Sequence, residues 1–363
     1  KRGEVLLNTN ELLKQMQAMS ASTSSSTNLI TPDLLAQAYI GITGEFDDKY
    51  GGTGMQPKFP QPMTYDFLLR HYLRTGEQKA LEMVELTLQR MAGGGIYDQL
   101  GGGFHRYSTD MFWLVPHFEK MLYDNALLVK LYIHAYQITQ KPLYKRVVEH
   151  TLDYVLREMT DTSGGFYSSQ DADTEGVEGK FFVWRPEEIV AALGTRDGQI
   201  FNNYYDVKPQ GNFEGMSILH ISNEAPSLAK EIDMAPEELE SLLEHSRAKL
   251  LEIRENRVRP GLDDKVLTSW NALMLQAFAE AGAVLGRNDY TFAAAKNAAF
   301  LLDELRQNQR LLRTYQHGRA KLKGYLEDYS FLVSALIALH ESTFDPKWIE
   351  AAVELGQQMV DLF

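Results

Sequence analysis

Apolar positions recur at three- and four-residue spacing along most of the chain. The pattern predicts helices over 32–49, 62–75, 78–92, 117–139, 141–159, 186–193, 197–205, 236–257, 266–285, 289–307, 325–343 and 346–363. Strand-like alternation is confined to short pieces at 103–107, 166–169, 180–184, 217–221 and 311–315. Tight links such as Thr139–Pro142 and Gly286–Asp289 join helices in pairs, which favours antiparallel neighbours. Ahead of them, residues 4–19 carry a short helical pattern and Ser20–Thr27 (SASTSSST) reads as a flexible linker. Residues 1–30 are therefore expected to be a short helix and linker. The folded body should start at Thr31-Pro32-Asp33, with proline at the first helical position.

The pairs repeat. One class of helix begins near 62, 118, 266 and 325, at intervals of 56, 148 and 59. The long interval fits two repeats of about 57 residues plus an insertion of about 34, placed within 160–235. Partner helices begin near 32, 78, 141, 236, 289 and 346. Hairpins of this length close into an all-α (α/α)6 toroid, with inner helices around a central bowl, outer helices sheathing them and short β hairpins in the loops. Six outer-type and five inner-type helices are counted. Since Asp361–Phe363 lies inside a helical pattern with no stop signal, the toroid of 31–363 is expected to be incomplete at its C-terminal side.

Composition narrows the chemistry. The chain has 363 residues, 36 Lys+Arg against 49 Asp+Glu, and a formal charge of −13. That balance argues against nucleic acid or an anionic membrane surface as a partner. With no cysteine, the chain has no disulfide, thiol nucleophile or zinc-thiolate site. No apolar run is long enough to span a membrane. Lys1–Leu7 has neither a signal-peptide core nor an initiator Met, so an upstream segment is expected and a cytoplasmic location is the default. Oligomeric state is left open.

The inner-type helices start with dense polar and aromatic clusters: Pro57–Pro60, Val115–Asn125, Leu262–Asn271 and Gly324–Tyr329. In a toroid these starts emerge at one end and would converge on the bowl, where free N–H groups favour an anionic or hydroxyl-rich ligand. His117, Met121 and Asp124 share one helical face, as do Asp264, Thr268 and Asn271; Glu327 and Asp328 open the next inner helix. Each acid alone is also explained by helix capping. The glycine-rich Gly93–Tyr107 breaks the helical pattern and lacks the dinucleotide fingerprint. It reads either as a rigid structural loop or as a hairpin over the bowl carrying His105, Arg106 and Tyr107. Ser168–Gly176 resembles the first half of a calcium loop, but Phe182 stands where the bidentate acid is required. With no HExxH and no close histidine pair, no metal or other cofactor is expected. His71, His134, His150, His245 and His340 fall mid-helix and read as packing or surface residues.

These clusters give the chain a family resemblance. The strings VPHFEKMLYDN (115–125), SSQDAD (168–173) and LDDKVLTSWN (262–271), with Pro57–Pro60, Gly101–Tyr107, Phe166–Trp184, Gly211–Gly215 and Tyr325–Tyr329, resemble the thioredoxin-fused (DUF255) proteins of the spermatogenesis-associated protein 20 type. The resemblance implies a covalently linked thioredoxin-like domain in the parent protein, absent from this chain. It also implies a toroid similar to N-acylglucosamine 2-epimerases and six-hairpin glycosidases, hence a small-molecule carbohydrate as partner.

Two functions are expected from this. The first is a carbohydrate-active enzyme, epimerase/isomerase-like or glycosidase-like, using metal-independent acid/base chemistry. Epimerisation would use His117 and His105. Hydrolysis would draw a carboxylate pair from Asp124, Asp171, Asp264 and Asp328. Trp113, Trp184, Trp270, Tyr107 and Tyr325 would stack on sugar faces, and Lys58, Arg106, Glu119, Asp173, Asn271 and Glu327 would hold hydroxyls. The second is a non-catalytic glycan- or protein-binding module serving the fused redox domain.

Overall fold

Proline opens six of the helices at their first position, where its missing N–H is no loss and its fixed φ suits the helix. In chain order the helices are α1 (Arg2–Ala21), α2 (Pro32–Glu45), α3 (Pro62–Thr75), α4 (Gln78–Gly93), α5 (Leu122–Thr139), α6 (Pro142–Glu158), α7 (Pro186–Leu193), α8 (Thr195–Tyr204), α9 (Ala225–Glu231), α10 (Pro236–Arg254), α11 (Thr268–Leu285), α12 (Asn288–Glu304), α13 (Leu326–Thr343) and α14 (Pro346–Leu362). The computed structural model describes residues 2–21, 31–222 and 225–363. Most of the expected Ser20–Thr27 linker lies outside the described residues. The chain divides into two units, Lys1–Gly44 and Glu45–Phe363; the first holds α1 and most of α2.

Within the second unit, α3, α5, α11 and α13 stand side by side in that order, and α4, α6, α12 and α14 return antiparallel as their partners. Each of the four inner helices ends on a left-handed residue whose N–H bonds the carbonyl four back: Gly76 (φ 76°), Gln140 (56°), Gly286 (68°) and Phe344 (56°). That turn reverses the chain within a few residues, which sets the hairpin geometry.

The second and third hairpins repeat one packing scheme. At the fourth residue of α5, Asn125 accepts the Phe104 N–H (2.7 Å) and donates to the Phe104 and Met121 carbonyls (3.1 and 2.9 Å). At the fourth residue of α11, Asn271 does the same to Phe166 (2.7 and 2.9 Å) and Leu267 (3.0 Å). Two turns further along, Tyr132 stacks on Phe104 and meets Tyr144 edge-on; Phe278 stacks on Phe166 and meets Tyr290 edge-on. These rings fill the space between inner and outer helices and dominate the core there.

Because α5 packs directly on α11, no inner helix stands between them, and the inner helices among the described residues number four rather than the expected five. The long sequence interval is one repeat interrupted by an excursion. Within it α10, read from its pattern as an outer helix, packs on α7, α8 and α9. They share a core of Trp184, Phe201, Tyr205, Leu239, Leu243 and Leu250. An amphipathic pattern states that a helix has a buried face, not which partner covers it.

Strands are short. Lys120–Met121, Ser169–Gln170 and Leu262–Asp263 pair in one small sheet. The hairpin Arg310–Gln316/Arg319–Lys323 adds to Val266–Leu267 just before α11.

Candidate functional site

The four inner helices line a half-open cavity of about 540 Å³, the bowl that the repeat predicts. Its apolar side is built from Phe67, Leu127, Leu273 and Phe331, and from Tyr123 and Trp270, whose rings meet edge-on at 4.8 Å. Its polar side is Asp66 and Arg70 of α3, Lys130 and His134 of α5, Gln276 of α11 and Glu327 of α13.

The polar wall is organised by His134. Its Nδ1 lies 2.6 Å from Asp66 Oδ1 and its Nε2 3.1 Å from Glu280 Oε2, so one imidazolium donates to two carboxylates and ties α3, α5 and α11 together. Burial opposes its charge, but the two hydrogen bonds override it and raise the imidazole to about 9. Burial likewise opposes ionisation of Asp66, yet His134 and Arg70 hold it down at about 2; Glu280 is also lowered, against its burial, chiefly by His134. Arg70 bonds Asp66 at 2.8 Å, Gln276 donates to Glu280 at 2.8 Å, and Lys130 lies 3.9 Å from Glu280. His134 and Glu280 occupy the same position, thirteenth, in α5 and α11.

Of the residues expected at the site, Trp270 and Glu327 line the bowl. A second group runs outward from it. Arg106 lies beside Tyr123 and bonds Glu119 at 3.0 Å. Glu119 is 3.8 Å from His117 Nε2, while His117 Nδ1 bonds Glu178 at 2.7 Å and its ring stacks on Tyr107. Asp124, in the first turn of α5 next to Tyr123, has one buried oxygen without a hydrogen-bond partner. Burial pushes its carboxyl up to about 7, with Arg106 pulling the other way.

Other expected residues lie elsewhere. His105 is fully buried, with Nδ1 2.8 Å from the Phe118 carbonyl and its ring edge-on to Phe118 and Phe182. Burial and the Lys120 charge depress it to about 3, so it is neutral at physiological pH, with the Nδ1–H held on the Phe118 carbonyl. It adjoins a buried ion cluster in which Asp98 takes Lys120 (2.8 Å), both terminal guanidinium nitrogens of Arg254 (2.8 and 2.9 Å) and the N–H groups of Leu100 and Gly101. Asp328 is also buried. It caps α13 by accepting the Tyr325 N–H (2.8 Å) and reaches across to the Ser269 N–H (3.0 Å) at the start of α11. Asn271 is spent on the backbone pins described above. Lys58 is buried against Asp47 (2.6 Å) and the Gly51 carbonyl, beneath the fully buried Trp113, whose Nε1 bonds the Tyr50 carbonyl. Trp184 is buried in the excursion's core under Arg257. None of these rings is open to a sugar. Asp171 and Asp173 are exposed, Asp264 bonds Gln316 (2.6 Å) at the hairpin, and exposed Tyr325 lies under Arg313, which pairs with Glu327 (2.7 Å). Among the described residues no group of three or more His, Asp or Glu is placed to hold a metal ion.

Sequence reasoning missed Asp66, Arg70, Lys130, His134, Gln276 and Glu280. The available signal was that α5 and α11 are apolar almost all round, so Lys130, His134 and Glu280 are exceptions that need partners.

The architecture is that of the (α/α)6 toroids seen in six-hairpin glycosidases. It is similar to a family 76 glycoside hydrolase, an α-mannanase of Bacteroides thetaiotaomicron (TM-score 0.52, 11% identity, covering 89% of this chain and 66% of that one). It is also similar to an inactive variant of an α-1,6-mannanase of Salegentibacter sp. in complex with α-1,6-mannotetrose (TM-score 0.50, 14% identity, 84% and 63% covered). At such identities the likeness is one of fold alone. In sequence the chain is homologous to human spermatogenesis-associated protein 20, at 35% identity over 88% of this chain and 45% of that protein. It is 30% identical to an uncharacterised protein of Caenorhabditis elegans over 97% of this chain and 53% of that protein. The chain spans about half the length of the curated relatives it matches. No family model matches it. Among the described residues no helix is long and apolar enough to cross a membrane.

Proposed function

We propose that the bowl binds a neutral hexose-type sugar or short oligosaccharide and that the chain acts on it by acid/base chemistry, as an epimerase- or glycosidase-like enzyme. The observation that carries this reading is the pairing of an aromatic wall, Tyr123 and Trp270, with a polar wall of fixed donors and acceptors. Asp66 is tied to Arg70 and His134, Glu280 to His134 with Lys130 3.9 Å away, and Glu327 to Arg313. Aromatic faces hold the C–H side of a pyranose and the fixed ions take its hydroxyls. His134 is held as a cation, so it orients and polarises rather than accepts a proton. Asp124, poised near neutrality one residue from Tyr123, is the titrating group.

The test is titration of the chain with monosaccharides, α-1,6-manno-oligosaccharides and unsaturated uronides, reading tryptophan fluorescence for binding and NMR for product. Binding is expected to be lost in Trp270→Ala. Turnover is expected to be lost in Asp124→Asn, with binding kept and a wild-type pH profile that bends near 7. If no sugar binds saturably, or Trp270→Ala changes nothing, the carbohydrate reading fails. A second reading, a glycan- or protein-binding module of a thioredoxin-fused parent protein, is favoured by the locking of the bowl-lining His134 between two carboxylates. Saturable binding without product in any arm supports it.

A further inference from the structure

A second cavity, of about 290 Å³, lies on the sheet that precedes α11 and is lined by Lys265, Thr314, Gln316, His317, Arg319 and Lys321. It shares no lining residue with the bowl. Strand register explains the convergence. Across the hairpin Thr314 faces Lys321 and Gln316 faces Arg319, and on the other side Thr314 faces Leu267 and Tyr315 faces Val266, which brings Lys265 beside Gln316. Alternation then puts Thr314, Gln316, Arg319 and Lys321 on one face, while Tyr315 on the other packs edge-on against Phe300.

The local acids are already engaged. Asp263 bonds Lys265 at 2.8 Å; Asp264 accepts from Gln316 at 2.6 Å and lies 3.8 Å from His317. Among the described residues no carboxylate pairs with Arg319 or Lys321. In a chain with 49 acids and 36 bases, two cations two residues apart on one strand face, unneutralised over a cavity, repel each other until an anion joins them. We infer that this cavity binds a phosphoryl group, free or carried on a small molecule such as a sugar. Arg319 supplies a forked donor and Lys321 a point charge. The Thr314 hydroxyl bonds the Lys321 carbonyl at 3.2 Å and helps fix the hairpin, and Lys265 stands at the edge of the same face. A phosphoryl group carries a charge of roughly −1.5 to −2 near neutrality, which matches two free cations; a single carboxylate matches one. The inference stands apart from the sugar reading of the bowl.

The experiment titrates the 363-residue chain with inorganic phosphate, a hexose 6-phosphate, glucuronate and the unphosphorylated hexose. Ionic strength is held constant and the readouts are calorimetry and the amide shifts of the hairpin. Phosphate and hexose 6-phosphate are expected to bind saturably and to shift Thr314 and Lys321. Arg319→Ala/Lys321→Ala is expected to weaken both by about tenfold or more, the loss of two charge-assisted bonds, with an unchanged thermal transition because both side chains are exposed. Trp270→Ala should leave phosphate binding untouched, which separates this site from the bowl. Tighter binding of the hexose phosphate than of phosphate identifies a phosphorylated sugar as the source; equal binding identifies the free ion. The inference is overturned if phosphate binding is not saturable at constant ionic strength, if the double variant binds as well as wild type, or if glucuronate binds as tightly as phosphate.

Discussion

Replacing His134 by alanine removes the cation that joins three inner helices, and the cost can be worked from the geometry. The folded chain holds the imidazole at about 9 against an ordinary 6.5, which corresponds to about 3 kcal/mol of preference for the charged form. The same interaction also lowers Asp66 and Glu280, so those shifts are not added to it. Asp66 keeps Arg70 and Glu280 keeps Gln276 and Lys130 in the variant, which reduces the net loss to about 2 kcal/mol. The sign in pH follows from the raised value. The stabilisation is complete below 6.5 and is lost as pH rises through 9. Urea unfolding of wild type and His134→Ala at several pH values between 6 and 10.5 measures the difference, and imidazole NMR measures the titration directly. A gap that stays constant across that window, or an imidazole that titrates near 6.5, would refute the clamp.

Asn125→Ala and Asn271→Ala should each cost about 3 kcal/mol, because each strands the N–H and the carbonyl of one buried phenylalanine, Phe104 or Phe166. Asn271→Ala should cost more, since its Oδ1 also takes the Asn297 amide at 2.9 Å; denaturant midpoints check the order, and a loss below about 1 kcal/mol at either site would show the pins to be dispensable. Asp98→Asn leaves Lys120 and Arg254 buried without a counter-charge and should destabilise by about 3–5 kcal/mol, with partial recovery in Asp98→Asn/Lys120→Met; a variant as stable as wild type contradicts the cluster. His105 lies at about 3 in the folded chain against 6.5 when exposed. The unfolded chain therefore binds a proton that the folded chain refuses, and stability falls as pH drops from 6.5 toward 3. His105→Gln should flatten that slope in acid unfolding, and equal slopes would overturn the assignment.

The bowl was legible before its lining was. Spacing and hairpin turns imply inner and outer helices, and the long strings at 115–125 and 262–271 mark two inner-helix starts. Their conspicuous residues, however, mostly build the scaffold. Asn271 pins backbone, Asp328 caps one helix and bridges to the next, and Lys58, Trp113 and His105 are buried. A polar residue at a helix start has two fates, cap or ligand, and one sequence contains both. His134 shows the converse. Mid-helix histidines read as packing residues, yet this one faces two carboxylates from helices 68 and 146 residues away in sequence, a distance over which local pattern carries no information.

The sequence by itself determined the helical periodicity, the antiparallel pairing through tight turns, the toroid class and the absence of thiol chemistry, because these depend on neighbours a few residues apart or on composition. Only the tertiary structure decided that α5 adjoins α11, that α10 belongs to the excursion rather than the outer layer, and that the bowl's polar wall is an imidazolium between two carboxylates. It also decided that Arg319 and Lys321 share a face with Thr314. Each depends on which buried faces meet and on strand register, and packing selects those through long-range burial that hydrophobic spacing leaves open.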